Sequence, residues 1–325
     1  MAESQDWEIP TQAQPKAGDL AFDLDRTLES VVTLRAEVPE DAFTAAALGT
    51  QRLGNAVLIR DSGLLLTIGY LVTEAERIWL STGKTAVQGT VVAYDFATGF
   101  GLVQALGRLG VPAIPLGSSS SLRVGDPLVV AGHGGRSGAL SARLVSRREF
   151  AGYWEYLLDE ALFTTPAHPH WGGAACIDRD GKLVGIGSLL VQEASIAGQQ
   201  TPGNMIVPID LLPPILPDLE RFGRANRPPR PWLGVYVAEG PGGEIVVTGL
   251  AANGPAAQAG LRPADVIVEI DGLPVGGLAD LYRQLWSAGE AGVGVGLAIL
   301  RDGNRRTVTV RTTTRESMLR RPRSH

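Results

Sequence analysis

Cysteine is nearly absent. A single residue, Cys176, in 325 excludes an intrachain disulfide framework and a cysteine-rich zinc site. No run of about 18 apolar residues occurs, so no membrane-spanning helix is expected. There is no extended basic stripe, and the formal net charge is −5, which removes support for a nucleic-acid role. Histidine is scarce, and only His133, His168 and His170 lie outside the C-terminus. The polar lead Met1–Gly18 has neither the basic n-region nor the apolar h-region of a secretory signal. That predicts a cytoplasmic protein, or a periplasmic one if the start codon is misassigned.

Glycine and proline are what the chain has instead. With 41 Gly and 21 Pro, glycine is well above its usual share of about 7%, which points to many turns and short strands. The segment Leu24 to Val38 has apolar spacing but is too short to assign. From Ala56 the pattern is strand-like: Ala56-Val57-Leu58-Ile59, the turn Asp61-Ser62-Gly63, then Leu64-Leu65-Leu66-Thr67 reads as a hairpin. Short apolar runs follow at close spacing: Ile78–Leu80, Val87–Val92, Gly101–Ala105, Leu128–Ala131, Ala142–Val145, Tyr156–Leu158, Ala174–Ile177, Leu183–Gly187 and Met205–Pro208. Such spacing predicts an all-β sandwich or barrel.

Proline then punctuates the chain. Pro213-Pro214 and Pro217 flank a short helical stretch, and Arg227-Pro228-Pro229-Arg230-Pro231 is stiff and unsuited to a strand ladder. A second unit begins at Trp232, with strands near Leu233–Val237, Glu244–Leu250, Val266–Ile270, Gly294–Arg301 and Arg305–Arg311, and helices at Gly254–Ala259 and Leu278–Ser287. The expected organisation is a flexible lead 1–21, a barrel domain 22–216, a linker 217–231, a second domain 232–313 and a solvated basic tail 314–325.

Specific motifs now give this organisation a family. Trp232-Leu233-Gly234-Val235, Gly254-Pro255-Ala256-Ala257-Gln258-Ala259-Gly260-Leu261, Asp265-Val266-Ile267-Val268-Glu269-Ile270-Asp271-Gly272 and Leu300-Arg301-Asp302-Gly303 together resemble an HtrA-type PDZ domain. Leu116-Gly117-Ser118 through Asp126, Asp180-Gly181-Lys182-Leu183-Val184-Gly185-Ile186 and Gly203-Asn204-Met205-Ile206-Val207-Pro208-Ile209 resemble segments of the HtrA (DegP-type) serine proteases. The resemblance runs from about Phe22 to Arg311. It implies a mainly β protein: a chymotrypsin-like double β-barrel followed by a PDZ domain, itself a small β-barrel with two helices. Trimer formation through Phe22 to Leu34 is a further implication.

A serine protease needs a nucleophilic serine, a histidine base and an aspartate that orients it. The family's histidine frame reads here Leu65-Leu66-Thr67-Ile68-Gly69-Tyr70-Leu71-Val72, which puts Tyr70 at the histidine position. A phenol with a pKa near 10 is no neutral-pH base. The aspartate frame reads Asp95-Phe96-Ala97-Thr98-Gly99-Phe100-Gly101, which puts Gly99 at the carboxylate position. The nucleophile frame reads Pro169-His170-Trp171-Gly172-Gly173-Ala174, which puts Trp171 at the serine position. Pro169 stands where the family has a glycine N–H in the oxyanion hole, and proline has no N–H to give. The implied protein is a pseudoprotease. Its alternatives are a working endopeptidase with an unrecognised site and a structural subunit of a larger complex.

Other chemistry has thinner support. His168-Pro169-His170 could place two rings on one face of an extended segment, yet no carboxylate signature accompanies them, so exposed loop histidines and no metal are expected. Cys176 lies in an apolar strand pattern, where a small buried hydrophobe is the default. The run Ser118–Ser121 reads as a loop without a base. No cofactor is expected.

By resemblance, Trp232, Leu233, Gly234 and Val235 form the loop and strand that hold a peptide's terminal carboxylate. Leu281, Tyr282 and Leu285 of the second helix form the opposite wall, or else belong to the core. The implied partners are proteins with C-terminal or extended peptides, taken up by an adaptor or scaffold. The groove could equally be filled by a segment of the chain itself.

Overall fold

Short strands, some alternating between buried and exposed residues and some buried throughout, form two sheets that close on themselves. A computed structural model describes residues 8–196 and 199–320; residues 1–7 of the expected lead and 321–325 of the expected tail lie outside the described residues. The chain divides into two compact units. Of the described residues, one comprises 8–148 and 160–226, and the other comprises 149–159 and 227–320.

The first unit holds two closed six-stranded barrels. The first barrel follows α1 (Leu24–Leu28) and comprises β1 (Val31–Glu37), β2 (Gln51–Arg60), β3 (Leu64–Ile68), β4 (Arg77–Ser81), β5 (Ala86–Tyr94) and β6 (Phe100–Ala105), with the short helices α2 (Ala45–Leu48) and α3 (Gly69–Val72) between strands. Its strands run in the order β1-β2-β3-β6-β5-β4. In β4 the alternation is plain: Ile78 and Leu80 are buried while Arg77 and Trp79 face out. The second barrel comprises β7 (Pro127–Ala131), β8 (Ala139–Gly152), β9 (Tyr156–Thr165), β10 (Ala175–Ile177), β11 (Leu183–Ile196) and β12 (Gln199–Pro208), in the order β10-β11-β12-β9-β8-β7. The expected hairpin is present, with Val57 opposite Leu66 and Leu58 opposite Leu65.

The unassigned segment Leu24 to Val38 forms a helix and a strand. Asp23 caps α1 by accepting the N–H of Arg26, and β1 buries Val32 and Leu34. The Phe22–Leu34 segment thus packs on its own chain: Leu24 and Leu28 are buried, and Phe22 lies over Gly181. The lead is not wholly flexible either. Ile9 is buried and its N–H donates to the carbonyl of Ser137, because an apolar side chain gains more by leaving water than the segment loses in freedom. The stretch expected to begin a linker at 217 is helical: α4 (Leu216–Phe222) buries Leu216 and Leu219 and extends the first unit to Asn226.

The second unit is a sheet with two helices, α5 (Pro255–Gln258) and α6 (Leu278–Ser287). Its strands are β13 (Val235–Glu239), β14 (Ile245–Leu250), β15 (Val266–Ile270), β16 (Leu273–Pro274), β17 (Gly294–Arg301) and β18 (Asn304–Arg311). They run in the order β13-β14-β15-β17-β18, with β16 on β15. Leu233, Val235, Leu281, Tyr282 and Leu285 share one core cluster with Leu157. The expected solvated tail is partly anchored here. A 3-10 turn spans Arg315–Met318, Leu319 is buried, and Arg315 is largely enclosed.

Phe163 in β9 is fully buried, with the Arg148 guanidinium 4.2 Å from its ring centre. Phe163→Ala removes that packing and should lower the stability of the first unit by about 3–5 kcal/mol, read as an earlier urea midpoint in its transition.

Candidate functional site

Three segments named from the sequence meet in the first unit. The N–H of Gly69 donates to the carbonyl of Gly99 at 2.7 Å, which sets the start of α3 beside the β5–β6 turn. Gly99 has φ +86°, a conformation that favours glycine. The Asp95 carboxylate accepts from the N–H and hydroxyl of Thr98, so it fixes the turn and does not reach outward as a substitute for a carboxylate at Gly99.

Tyr70 sits on α3, and Arg52 holds that helix in place. One Arg52 nitrogen donates to the carbonyls of Tyr70 and Thr73 at 2.7 and 2.8 Å, and another donates to the Thr44 hydroxyl at 2.8 Å. Burial pulls the guanidinium down to about 10, while the nearby Glu74 carboxylate favours its charge. The Tyr70 hydroxyl donates to the carbonyl of Ser188 at 2.9 Å. Burial raises the phenol well above its ordinary value, with Trp171 working the other way. A Cβ added at Gly172 would lie 3.0 Å from this hydroxyl, so the Trp171-Gly172 turn closes over it.

The 168–173 segment directs several of its donors inward. Pro169 has none. The N–H of His170 donates to Nδ1 of His168 at 3.0 Å, and Nε2 of His168 faces the Gly138 carbonyl at 2.9 Å. This fixes the tautomer, with the proton on Nε2, and leaves neither ring nitrogen for a metal. The expectation that these histidines are exposed fails at His168, which is buried. Burial pulls its pKa down to about 4. Among the described residues no group of three or more His, Cys, Asp or Glu could hold a metal ion. Cys176 is buried on β10 and its thiol is pushed up to about 12 by desolvation, so no thiolate forms at neutral pH. Ser119–Ser121 form a 3-10 turn held by the Asp210 carboxylate.

Sequence reasoning missed Asn55. It is a fully buried polar residue on β2. Its amide nitrogen donates to the carbonyls of His170 and Gly172 at 2.9 and 3.1 Å, and its oxygen accepts the N–H of His133 at 2.9 Å. Asn55 therefore ties the turn carrying Trp171 to the first barrel. Its signal was an amide directly before the apolar run Ala56–Ile59.

In the second unit the positions named for peptide binding converge, and they are covered. The N–H groups of Leu233, Gly234 and Val235 donate to the Glu155 carboxylate at 3.0, 2.7 and 3.1 Å. Gly234 has φ +77°, and a Cβ there would lie 3.0 Å from the Trp232 ring. All three bonds are accepted by Glu155, the pattern of a carboxylate. Burial works against that charge and pushes its pKa up to about 7, against the three N–H groups and Arg315. Leu281, Tyr282 and Leu285 are fully buried.

Comparison with known proteins agrees with this architecture. Residues 54–186 match the trypsin-like peptidase domain and residues 228–312 match the PDZ domain. A probable periplasmic DegP-like serine endoprotease of Pseudomonas putida is 27% identical over 282 residues, 80% of this chain and 55% of that protein. The serine protease PepD of Mycobacterium tuberculosis is 28% identical over 265 residues, 73% of this chain and 56% of that protein. The chain spans about half the length of the curated relatives it matches. The solved structure of the HtrA-type protease AlgW with a tripeptide superposes with a TM-score of 0.52 at 22% identity, covering 90% of this chain and 96% of that one. The fold is thus a trypsin-like double barrel followed by a PDZ domain, similar to HtrA/DegP-type proteins. The cytoplasmic placement expected from the lead is corrected: the Pseudomonas relatives are described as periplasmic.

His168 gives the first unit a pH dependence. The folded pKa of about 4 lies below the ordinary 6.5, so as pH falls through 6.5 the unfolded chain takes a proton that the folded one refuses. Stability should fall between pH 6.5 and 4 by about 3 kcal/mol from this residue. Urea unfolding of the wild type and of His168→Gln should show the slope flattened in the variant, and equal slopes would refute the assignment.

Proposed function

We propose that this chain is a catalytically inactive HtrA-like protein that acts in the periplasm as a peptide- or protein-binding adaptor. The observation that carries the reading is the buried Tyr70 hydroxyl, donated to the Ser188 carbonyl at 2.9 Å, in the frame where the similar proteases have their base, with Trp171 in the frame of the nucleophile. Acyl transfer needs an atom that attacks and a group that takes its proton. Trp171 offers no nucleophilic oxygen. The Tyr70 hydroxyl is kept protonated by burial and already donates to Ser188.

Two further features support it. Pro169 offers no N–H and the N–H of His170 is directed to His168, so one of the two backbone donors of an oxyanion hole is missing from the turn. Gly99 supplies no carboxylate to orient a base. Loss of a single triad member costs several orders of magnitude in rate, and here all three are replaced. What the fold retains is the PDZ domain, whose general chemistry is capture of extended peptides by strand addition. Periplasmic residence follows the similar proteins, and fractionation of the source cell checks it.

Purified full-length protein incubated with unfolded casein should leave it intact, and a serine-directed fluorophosphonate probe should not label it. Labelling or casein cleavage that persists through further purification would overturn the reading in favour of a working endopeptidase.

A further inference from the structure

The sheet edge at β13 already has a partner. β13 pairs with β14 on one side only. On its other side the N–H of Val237 donates to the carbonyl of Tyr153 at 3.0 Å. One end of the strand then meets a carboxylate, through the three N–H groups that converge on Glu155. Strand-type backbone bonding along the edge, ended by a carboxylate in a backbone cradle, is how an extended peptide with a free C-terminus docks on a PDZ sheet.

The covering segment is the turn between β8 and β9. Glu155 has φ +58°, a left-handed conformation uncommon for a residue with a side chain, so the backbone is bent where the carboxylate is presented. The Tyr282 hydroxyl on α6 donates to the carbonyl of Gly152 at 2.7 Å and accepts the N–H of Glu155 at 3.0 Å. Leu157 packs into the cluster of Leu233, Val235, Leu281 and Leu285. The Arg283 guanidinium bridges Glu149 and Asp159, one at each end of the segment. Arg315 adds positive charge on the side of Glu155.

We propose that residues 151–157 are a built-in ligand of the PDZ groove, with the Glu155 side chain standing in for a peptide's terminal carboxylate. An outside peptide with a free C-terminal carboxylate and an apolar last residue then binds only by displacing this segment. The attachment suits displacement. Its polar contacts include one edge bond, one carboxylate, one tyrosine hydroxyl and a long contact from Arg315 to the Trp154 carbonyl, and an incoming terminal carboxylate satisfies the same three N–H groups that Glu155 leaves. The inference rests on the reading of the second unit as peptide-binding, and is independent of whether the first unit catalyses anything.

The test compares full-length wild type, Glu155→Ala and Tyr282→Phe. Tyr282→Phe loosens the segment without touching the N–H cradle, so it covers the case in which Glu155→Ala misfolds, and thermal unfolding checks both variants. Amide hydrogen exchange at Leu233, Gly234 and Val235 should be at least about tenfold faster in Glu155→Ala than in wild type, since bonds to a charged acceptor are lost. A fluorescein-labelled octapeptide ending in leucine with a free carboxylate should bind both variants at least about tenfold more tightly than wild type. The same peptide ending in an amide should bind none of the three. Equal exchange, or equal affinity of all three proteins for the acid peptide, overturns the built-in ligand alone. Faster exchange in Glu155→Ala with no binding of the acid peptide by either variant overturns the peptide-binding reading, and this inference with it.

Discussion

Three backbone N–H groups at the entry to β13 point at one spot, and buried donors of that kind must be met by an acceptor. That requirement organises the second unit. It explains why Gly234 carries a positive φ, which lets successive N–H groups converge, and why a charged side chain lies in an otherwise apolar cluster. Burying the Glu155 carboxylate is costly, as its raised pKa records, and the cost is offset only where several donors and a positive charge surround it. Leu233, Gly234, Val235 and Arg315 supply that surrounding.

The same reasoning applies in the first unit with the opposite outcome for chemistry. The turn 168–173 has inward partners: Asn55 holds the carbonyls of His170 and Gly172, and His168 holds the N–H of His170. Every one of these bonds is directed inward and serves position. In an active serine protease the corresponding turn keeps donors free for charge that develops during reaction. Here the inward bonds hold the turn in place, and burial holds the Tyr70 hydroxyl on the Ser188 carbonyl.

Where polar groups serve the chain's own architecture, sequence reading gave correct elements and incorrect surroundings. His168 was expected on an exposed loop because histidines flanking a proline resemble loop text, yet its ring satisfies Gly138 and His170 at once and is buried for that reason. No local pattern marks Asn55, because its side-chain partners lie 78 to 117 residues away in sequence. β1 was left unassigned because its seven residues and the preceding five-residue helix are each too short to show a period.

The sequence by itself determined the strand pattern of both barrels, the PDZ motifs and the frames around Tyr70, Gly99 and Trp171 that resemble those of the proteases. These are carried by local spacing and by short runs in which each residue type has its own backbone or chemical reason. Tertiary structure alone decided that Tyr70 donates to Ser188, that His168 is buried, and that the N–H groups of Leu233, Gly234 and Val235 are met by Glu155. Glu155 lies 78 residues before Leu233 in a turn with no motif of its own. Its meaning arises only because folding brings a carboxylate to three N–H groups, and no local pattern encodes a meeting of that length.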